Sequence, residues 1–143
     1  MILLGKFYES EYEEALIELL AAQGWSHSLG SMISRNNREV LLIDDLSSYL
    51  KNRYQELTND DIVEIINHLR HISGQTHFEL LRNTYYLVRD GYRYTRHSDG
   101  KVFDIEYLDF EVGNANNIYK CVNQFEIGYG LKGDIRIPDV LLF

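Results

Sequence analysis

The chain has 143 residues, 45% of them hydrophobic, which is enough apolar material for one domain with a buried core. Asp and Glu outnumber Lys and Arg by 22 to 14, and the net charge of −8 argues against a nucleic-acid binder that works without a local patch, a metal ion or a larger assembly. The single cysteine excludes a disulfide framework and a Cys-based zinc site. No apolar run has membrane-spanning length and no signal peptide is visible, so we expect a cytoplasmic protein.

The first part of the chain, about residues 9–90, has the apolar spacing of helices. The first predicted helix, about Ser10–Gln23, combines many glutamates with a stripe formed by Tyr12, Leu16, Leu19, Leu20 and Gln23, and Gly24 ends it. Three further helices are expected to begin near Asp44 or Asp45, at Thr58 and at Thr76.

The remaining part, residues 91–143, has the period of two that is typical of strands. Strands are expected at about 92–95, at 103–112 with a bulge near 107–108, at 119–129 and at 134–143. Helices followed by hairpins predict an α/β fold with α+β-like order, in which helices pack on a mixed β-sheet within one domain spanning residues 1–143.

Three features have the form of functional motifs, but each favours a structural interpretation. Gly128–Gly133 matches G-x-G-x-x-G, yet a strand follows it where a dinucleotide site needs a helix, so a hairpin loop is predicted. His68 and His71 share a helix face without a third ligand at fixed spacing, which favours solvated side chains over a zinc site. Cys121 is expected to be a buried thiol.

A local excess of basic residues surrounds the end of the last predicted helix and the hairpin after it. Its members include Arg89, Arg93, Arg96 and Lys101. These side chains are candidates for contacts with DNA phosphates, and a solvated helix end and hairpin is the alternative.

Asp139 is the candidate metal ligand that the residue pattern itself indicates. Ile135, Ile137, Asp139 and Leu141 fall on one side of the last predicted strand. A carboxylate among apolar groups needs a partner or a cation, which favours a metal-binding role. The alternatives are an ion pair with an arginine such as Arg38, or a kink at Pro138 that turns the carboxylate outward. On the first helix, Glu13 and Glu14 are candidates for a second carboxylate, with a solvated acidic face as the alternative.

Two blocks near the end of the chain resemble a known family. Asn117–Ile127, which contains Val-Asn-Gln-Phe, and Arg136–Phe143, which contains Pro-Asp-Val-Leu-Leu-Phe, are similar to the N-terminal nuclease region of the type I restriction enzyme R subunit. Looser likenesses extend the resemblance over nearly the whole chain, at 11–25, 40–46 and 91–110.

The resemblance implies a restriction-endonuclease-like fold of the P-D…(D/E)-x-K nuclease class. It implies that Asp139 binds Mg²⁺ and that Glu13, or else Glu14, is the helix-one glutamate that supports the site. Gln124, in the Val-Asn-Gln-Phe segment, receives no chemical role. The arginine that the family places before the proline is Ile137 here, with Arg136 one position earlier.

The resemblance also implies a function for the intact protein: Mg²⁺-dependent hydrolysis of a DNA phosphodiester, with an ATP-driven motor domain downstream. Double-stranded DNA and the modification and specificity subunits are the implied partners. The family's (D/E)-x-K follows the Val-Leu-Phe segment, so we expect a nuclease domain that is incomplete at the C-terminus and a fragment inactive by itself. An open strand edge at 140–143 would then permit self-association. The alternatives are a complete, non-catalytic nuclease-fold interaction module and an unrelated acidic α/β binding domain.

Overall fold

The computed structural model describes residues 8–113 and 116–143, which fall into two compact units. Unit 1 comprises the described residues of 1–40 and 119–143, and unit 2 comprises those of 41–118. The helices are α1 (Glu9–Ala22), α2 (Ile43–Arg53), α3 (Asn59–Arg70) and α4 (His77–Asp90). The strands are β1 (Ser26–Leu29), β2 (Tyr92–Thr95), β3 (Val102–Ile105), β4 (Lys120–Asn123), β5 (Ile127–Tyr129), β6 (Asp134–Arg136) and β7 (Val140–Leu142). None of the helices in these ranges is long and apolar enough to span a membrane.

Unit 1 consists of a three-stranded mixed sheet, helix α1 and a hairpin. In the sheet, the central strand β4 pairs in parallel with β1 and antiparallel with β7. Helix α1 packs on β1 and β4, and three fully buried residues, Cys121, Val122 and Phe125, form the centre of the core. The predicted α/β fold with a helix on a mixed sheet is confirmed, as is the buried Cys121 thiol. Strand β1 was not predicted.

The face of α1 that packs on the sheet differs from the predicted one. The stripe of Tyr12, Leu16 and Leu19 is largely exposed. Of the predicted stripe only Leu20 is half-buried, together with Glu13 and Ile17, which precede it by seven and three positions. Such spacing defines one helix face, so the packing directs Glu13 toward the sheet.

The two strands predicted for the last third of unit 1 are each interrupted. The predicted strand at 119–129 breaks between β4 and β5, where Gln124 adopts a left-handed backbone conformation with φ of 56°. The predicted strand at 134–143 breaks between β6 and β7, because Pro138 has no backbone N–H for a sheet ladder. Residues 128–133 lie in the β5–β6 hairpin, which confirms the hairpin prediction.

A single 3-10 turn directly after β1, Gly30–Met32, is held against the β4–β5 connection. Gly30 is buried there, and a side-chain Cβ at this position would lie 2.8 Å from Phe125 Cα and closer still to the Gln124 carbonyl oxygen. Both neighbours are backbone atoms, which can move only together with the connection itself. Gly30 therefore permits the close approach of the two segments.

Replacing Gly30 by alanine is expected to lower the free energy of unfolding by about 2 kcal/mol, because the added methyl group overpacks a backbone contact. Urea unfolding followed by Trp25 fluorescence measures the change. Ser31→Ala, at the exposed neighbouring position, is the control and should change stability by less than about 0.5 kcal/mol. Equal stability of Gly30→Ala and Ser31→Ala would contradict the close approach.

Unit 2 contains α2, α3, α4 and the β2–β3 hairpin. Its core includes Leu50, Ile65, Ile105 and Tyr107. The predicted N-cap Thr58 is confirmed, and the helix predicted to begin near Thr76 has that residue at its N-cap. Each of the two side chains accepts a hydrogen bond from the helix backbone. Two predictions were wrong. Helix α2 has Leu42 at its N-cap, with Asp44 and Asp45 in its first turn, and the described residues between β3 and β4 form no strand at 108–112.

Candidate functional site

The Glu13 carboxylate is held by two consecutive amide side chains at the end of β4. Asn123 donates from Nδ2 to Oε1 of Glu13 over 2.9 Å, and Gln124 Nε2 lies 3.3 Å from Oε2 and 3.5 Å from Oε1. Glu14, in contrast, is exposed and has no hydrogen bond to these amides. Of the two candidate glutamates, Glu13 is therefore the one that the fold brings to the sheet.

The backbone of Asp139 is fixed to the same pair of residues. The Gln124 N–H donates to the Asp139 carbonyl oxygen over 3.0 Å, and Asn123 is opposite Val140 in the β4–β7 register. The predicted burial of Asp139 among apolar residues was wrong: its side chain is exposed, and Ile135 and Ile137 are each 51% exposed. The reason is the break at Pro138, which ends the alternation on which the prediction depended.

Asp139 does not form the ion pair with an arginine such as Arg38 that was the alternative to metal binding. Among the described residues no ion pair involves Asp139, and Arg38 donates to the Gly130 carbonyl oxygen instead. The Asp139 side chain is thus accessible to solvent and forms no ion pair with a described cation.

The Arg35 side chain contacts the residues that follow Gln124. Its guanidinium lies 3.5 Å from the centroid of the Phe125 ring and donates to the Glu126 and Glu39 carbonyl oxygens. Burial lowers the pKa of Arg35 from its ordinary value, and the carboxylates of Glu126 and Glu39 oppose that shift. These contacts immobilise the residues that directly follow Gln124.

One further polar side chain joins the site from β1. His27 Nε2 lies 2.7 Å from Asn123 Oδ1. His27 and Asn123 were not predicted as site residues, and Gln124 was assigned no chemistry. The only signal in the sequence was the pair of amides between the apolar residues Val122 and Phe125.

The four cations predicted to contact DNA are each paired with a carboxylate. Arg89 pairs with Asp90, Arg93 with Asp104, Arg96 with Asp61 and Asp99, and Lys101 with Glu56. Such pairs reduce the positive charge that the side chains offer to a phosphate. A role in DNA contact stays a prediction, whereas the bonds of Arg96 to the buried Asp61 carboxylate give it a structural role.

The sequence has one match to (D/E)-x-K, Asp99-Gly-Lys101, and it forms the turn of the β2–β3 hairpin. There Asp99 Oδ1 accepts from the Lys101 backbone N–H over 3.0 Å. The tripeptide precedes Pro138-Asp139 in the chain and belongs to unit 2. It does not take the position that the nuclease motif requires.

His68 and His71, the two histidines considered for a zinc site, have local partners. His68 stacks on Tyr92 with ring centroids 3.8 Å apart, and His71 Nδ1 lies 3.0 Å from the Asn67 carbonyl oxygen. Within residues 8–113 and 116–143, no three His, Cys, Asp or Glu side chains are grouped closely enough to hold a metal ion.

The architecture of unit 1 is that of an α/β domain in which a helix glutamate, through its side chain, and an aspartate just before β7, through its backbone, contact the same dipeptide at the end of β4. Residues 6–143 match the family model described as the type I restriction enzyme R protein N terminus, so the chain belongs to that family. This confirms the resemblance inferred from the Asn117–Ile127 and Arg136–Phe143 blocks. No curated protein and no solved structure matches the chain.

Proposed function

We propose that this chain supplies two carboxylates of a Mg²⁺-dependent DNA nuclease site, with Asp139 as a metal ligand and Glu13 as the supporting carboxylate. The observation that carries the proposal is that both residues contact the Asn123–Gln124 dipeptide, Glu13 through its side chain and Asp139 through its backbone. Membership of the restriction enzyme family supports the assignment of this pair to DNA cleavage.

The residues at this edge have the chemistry that Mg²⁺ prefers. The ion is usually bound through one or two carboxylates, with water and substrate phosphate completing its octahedron. Asp139 is exposed and can contact a phosphate, and the side chains that bond Glu13 are neutral amides. The bound ion would supply Lewis-acid stabilisation of the phosphoryl group and activation of water.

The wider function is that of the R subunit of a type I restriction-modification system. We propose that the intact protein cuts double-stranded DNA together with modification and specificity subunits, and that ATP serves a motor domain outside these residues. The four residues that follow Asp139 in this sequence, Val140–Phe143, do not contain the acid and lysine of the family's (D/E)-x-K. The chain alone is therefore expected to be inactive.

A second candidate is a non-catalytic nuclease-fold interaction module. It is favoured by the finding that the described part of the chain gathers no group of three metal-binding side chains. The edge strand β7, which has β4 as its only neighbour in the described sheet, is the surface through which such a module could associate with a further strand.

A Mn²⁺ titration observed by NMR distinguishes the two candidates, with Mn²⁺ standing in for Mg²⁺. We expect paramagnetic broadening centred on Asp139 and Glu13, and its loss in Asp139→Asn. Asp134→Asn, an exposed aspartate in the β6 strand, is the matched control and should leave the broadening unchanged. Broadening without any preference for Asp139 would support the non-catalytic candidate.

A plasmid-nicking assay with Mg²⁺ tests the expected inactivity of the chain alone. No cleavage above background is expected, because neither the second acid nor the lysine is present to complete the reaction centre. Cleavage that Asp139→Ala abolishes and Asp134→Ala does not would contradict this expectation.

A further inference from the structure

We propose that Asn123, Gln124 and His27 are positioning residues that hold the Glu13 carboxylate ready for a cation without neutralising it. The inference rests on the proposed metal-binding function and extends it to three residues. It starts from the partners of Glu13, which are amides: within the described ranges no lysine or arginine forms an ion pair with this carboxylate.

Amide donors and cationic donors differ in their effect on the net charge of a carboxylate that they bind. An arginine or lysine would fix the carboxylate and cancel its charge, whereas an amide N–H fixes it and leaves the charge in place. A carboxylate has about four lone-pair positions on its two oxygens. The bonds from Asn123 and Gln124 leave acceptor capacity on Glu13, which suits a group that supports a cation site.

The backbone conformation of Gln124 makes this arrangement possible. Consecutive side chains of a regular strand point to opposite faces, so Asn123 and Gln124 would not normally reach the same group. The left-handed φ of 56° at Gln124 ends that alternation, and both amides contact Glu13. Non-glycine residues seldom adopt this conformation, and such residues are concentrated at functional sites.

The contact with His27 fixes which end of the Asn123 side chain faces Glu13. Only Nδ2 can donate to the carboxylate, so Oδ1 points to His27 Nε2 at 2.7 Å. His27 must then carry a proton on Nε2 and act as the donor. If the Asn123 amide were turned around, its Oδ1 would face the Glu13 carboxylate. The hydrogen bond between Oδ1 and His27 disfavours that orientation. Helix α1 and strands β1 and β4 thus each contribute one residue to a continuous chain of hydrogen bonds.

Three variants test the proposal by Mn²⁺ affinity, measured by NMR broadening on the full 143-residue chain. Asn123→Ala is expected to weaken binding about 10-fold, at the low end of the loss seen when a partner of a metal ligand is removed. Gln124→Gly removes the more distant amide and relieves the left-handed strain, so it should weaken binding less while leaving urea stability equal or higher. Gln23→Ala, an exposed amide at the end of the same helix, is the control and should bind as the wild type does.

A metal-free measurement gives an independent readout. Nitrogen-15 NMR of the His27 ring is expected to show a proton on Nε2 in the wild type, and Asn123→Ala is expected to change the ring signals. Wild-type binding through Asp139 with unchanged affinity in Asn123→Ala would overturn the positioning role alone. A wild-type chain that binds no Mn²⁺ at Asp139 would overturn the proposed function and this inference with it.

Discussion

Replacing Asp61 by alanine is expected to lower the free energy of unfolding by about 4 kcal/mol, the loss typical of breaking a buried ion pair. Asp61 is only 3% exposed, and its carboxylate accepts hydrogen bonds from the Thr58 backbone N–H at 2.8 Å and the Tyr94 hydroxyl at 2.7 Å. The guanidinium of Arg96 completes the set at 2.9 Å. The variant leaves these donors without their acceptor, and urea unfolding measures the cost. The control is Asp60→Ala at the exposed neighbouring position.

The Asp61 carboxylate also makes the free energy of unfolding depend on pH, and the direction of that dependence can be predicted. Burial raises the pKa of Asp61, but the hydrogen bonds from Thr58, Tyr94 and Arg96 outweigh it and hold the pKa well below its usual range. A carboxyl group with a depressed pKa stabilises the fold above its unfolded pKa of about 3.9, and that contribution is lost as the pH falls toward the folded pKa. Between about pH 5 and pH 2, the wild type should therefore lose more stability than Asp61→Asn. Parallel losses in both proteins would contradict the assignment.

Truncating Phe125 to alanine is expected to have an effect of similar size in unit 1, about 4 kcal/mol, because a fully buried phenylalanine leaves a cavity. The centroids of the Phe125 and Phe143 rings are 5.1 Å apart, and the Arg35 guanidinium lies over the Phe125 ring. Its loss also removes the support of the backbone beside Gln124, so NMR shifts are expected at Gln124 and Glu13. Leu131→Ala, at a fully exposed position of the β5–β6 hairpin, should change stability by less than about 0.5 kcal/mol.

The Asp61→Ala variant also tests the prediction of a single domain spanning residues 1–143. Trp25 is the only tryptophan and belongs to unit 1, whereas Asp61 belongs to unit 2. If the chain unfolds as one cooperative domain, Asp61→Ala must shift the transition that Trp25 fluorescence reports. A shift seen by circular dichroism but not by Trp25 fluorescence would show that the single-domain prediction is wrong.

The elements that the sequence predicted well are those governed by near neighbours. Thr58 and Thr76 cap helices because each side chain bonds a backbone N–H three residues later. Gly91, with its positive φ, follows the last helix as predicted. The strands after Asn117 were harder to predict, because period two continues across Gln124 and Pro138 although the ladder does not.

In the candidate site, too, some features followed from the sequence and others only from the tertiary structure. The sequence by itself determined the family, through the Val-Asn-Gln-Phe and Pro-Asp-Val-Leu-Leu-Phe segments, and it identified Asp139 and the pair Glu13 and Glu14 as candidates. It could not choose between the two glutamates, since both flank the apolar stripe of the helix.

Only the tertiary structure decided which side of α1 packs on the sheet, that Asp139 is exposed, and that His27, Asn123 and Glu13 form one hydrogen-bonded chain. Asn123 and Glu13 are 110 positions apart, and His27 and Asn123 are 96 apart. Local periodicity reports the conformation of neighbouring residues, but contacts over such separations form only when strand pairing brings β1 and β4 side by side and α1 packs across them.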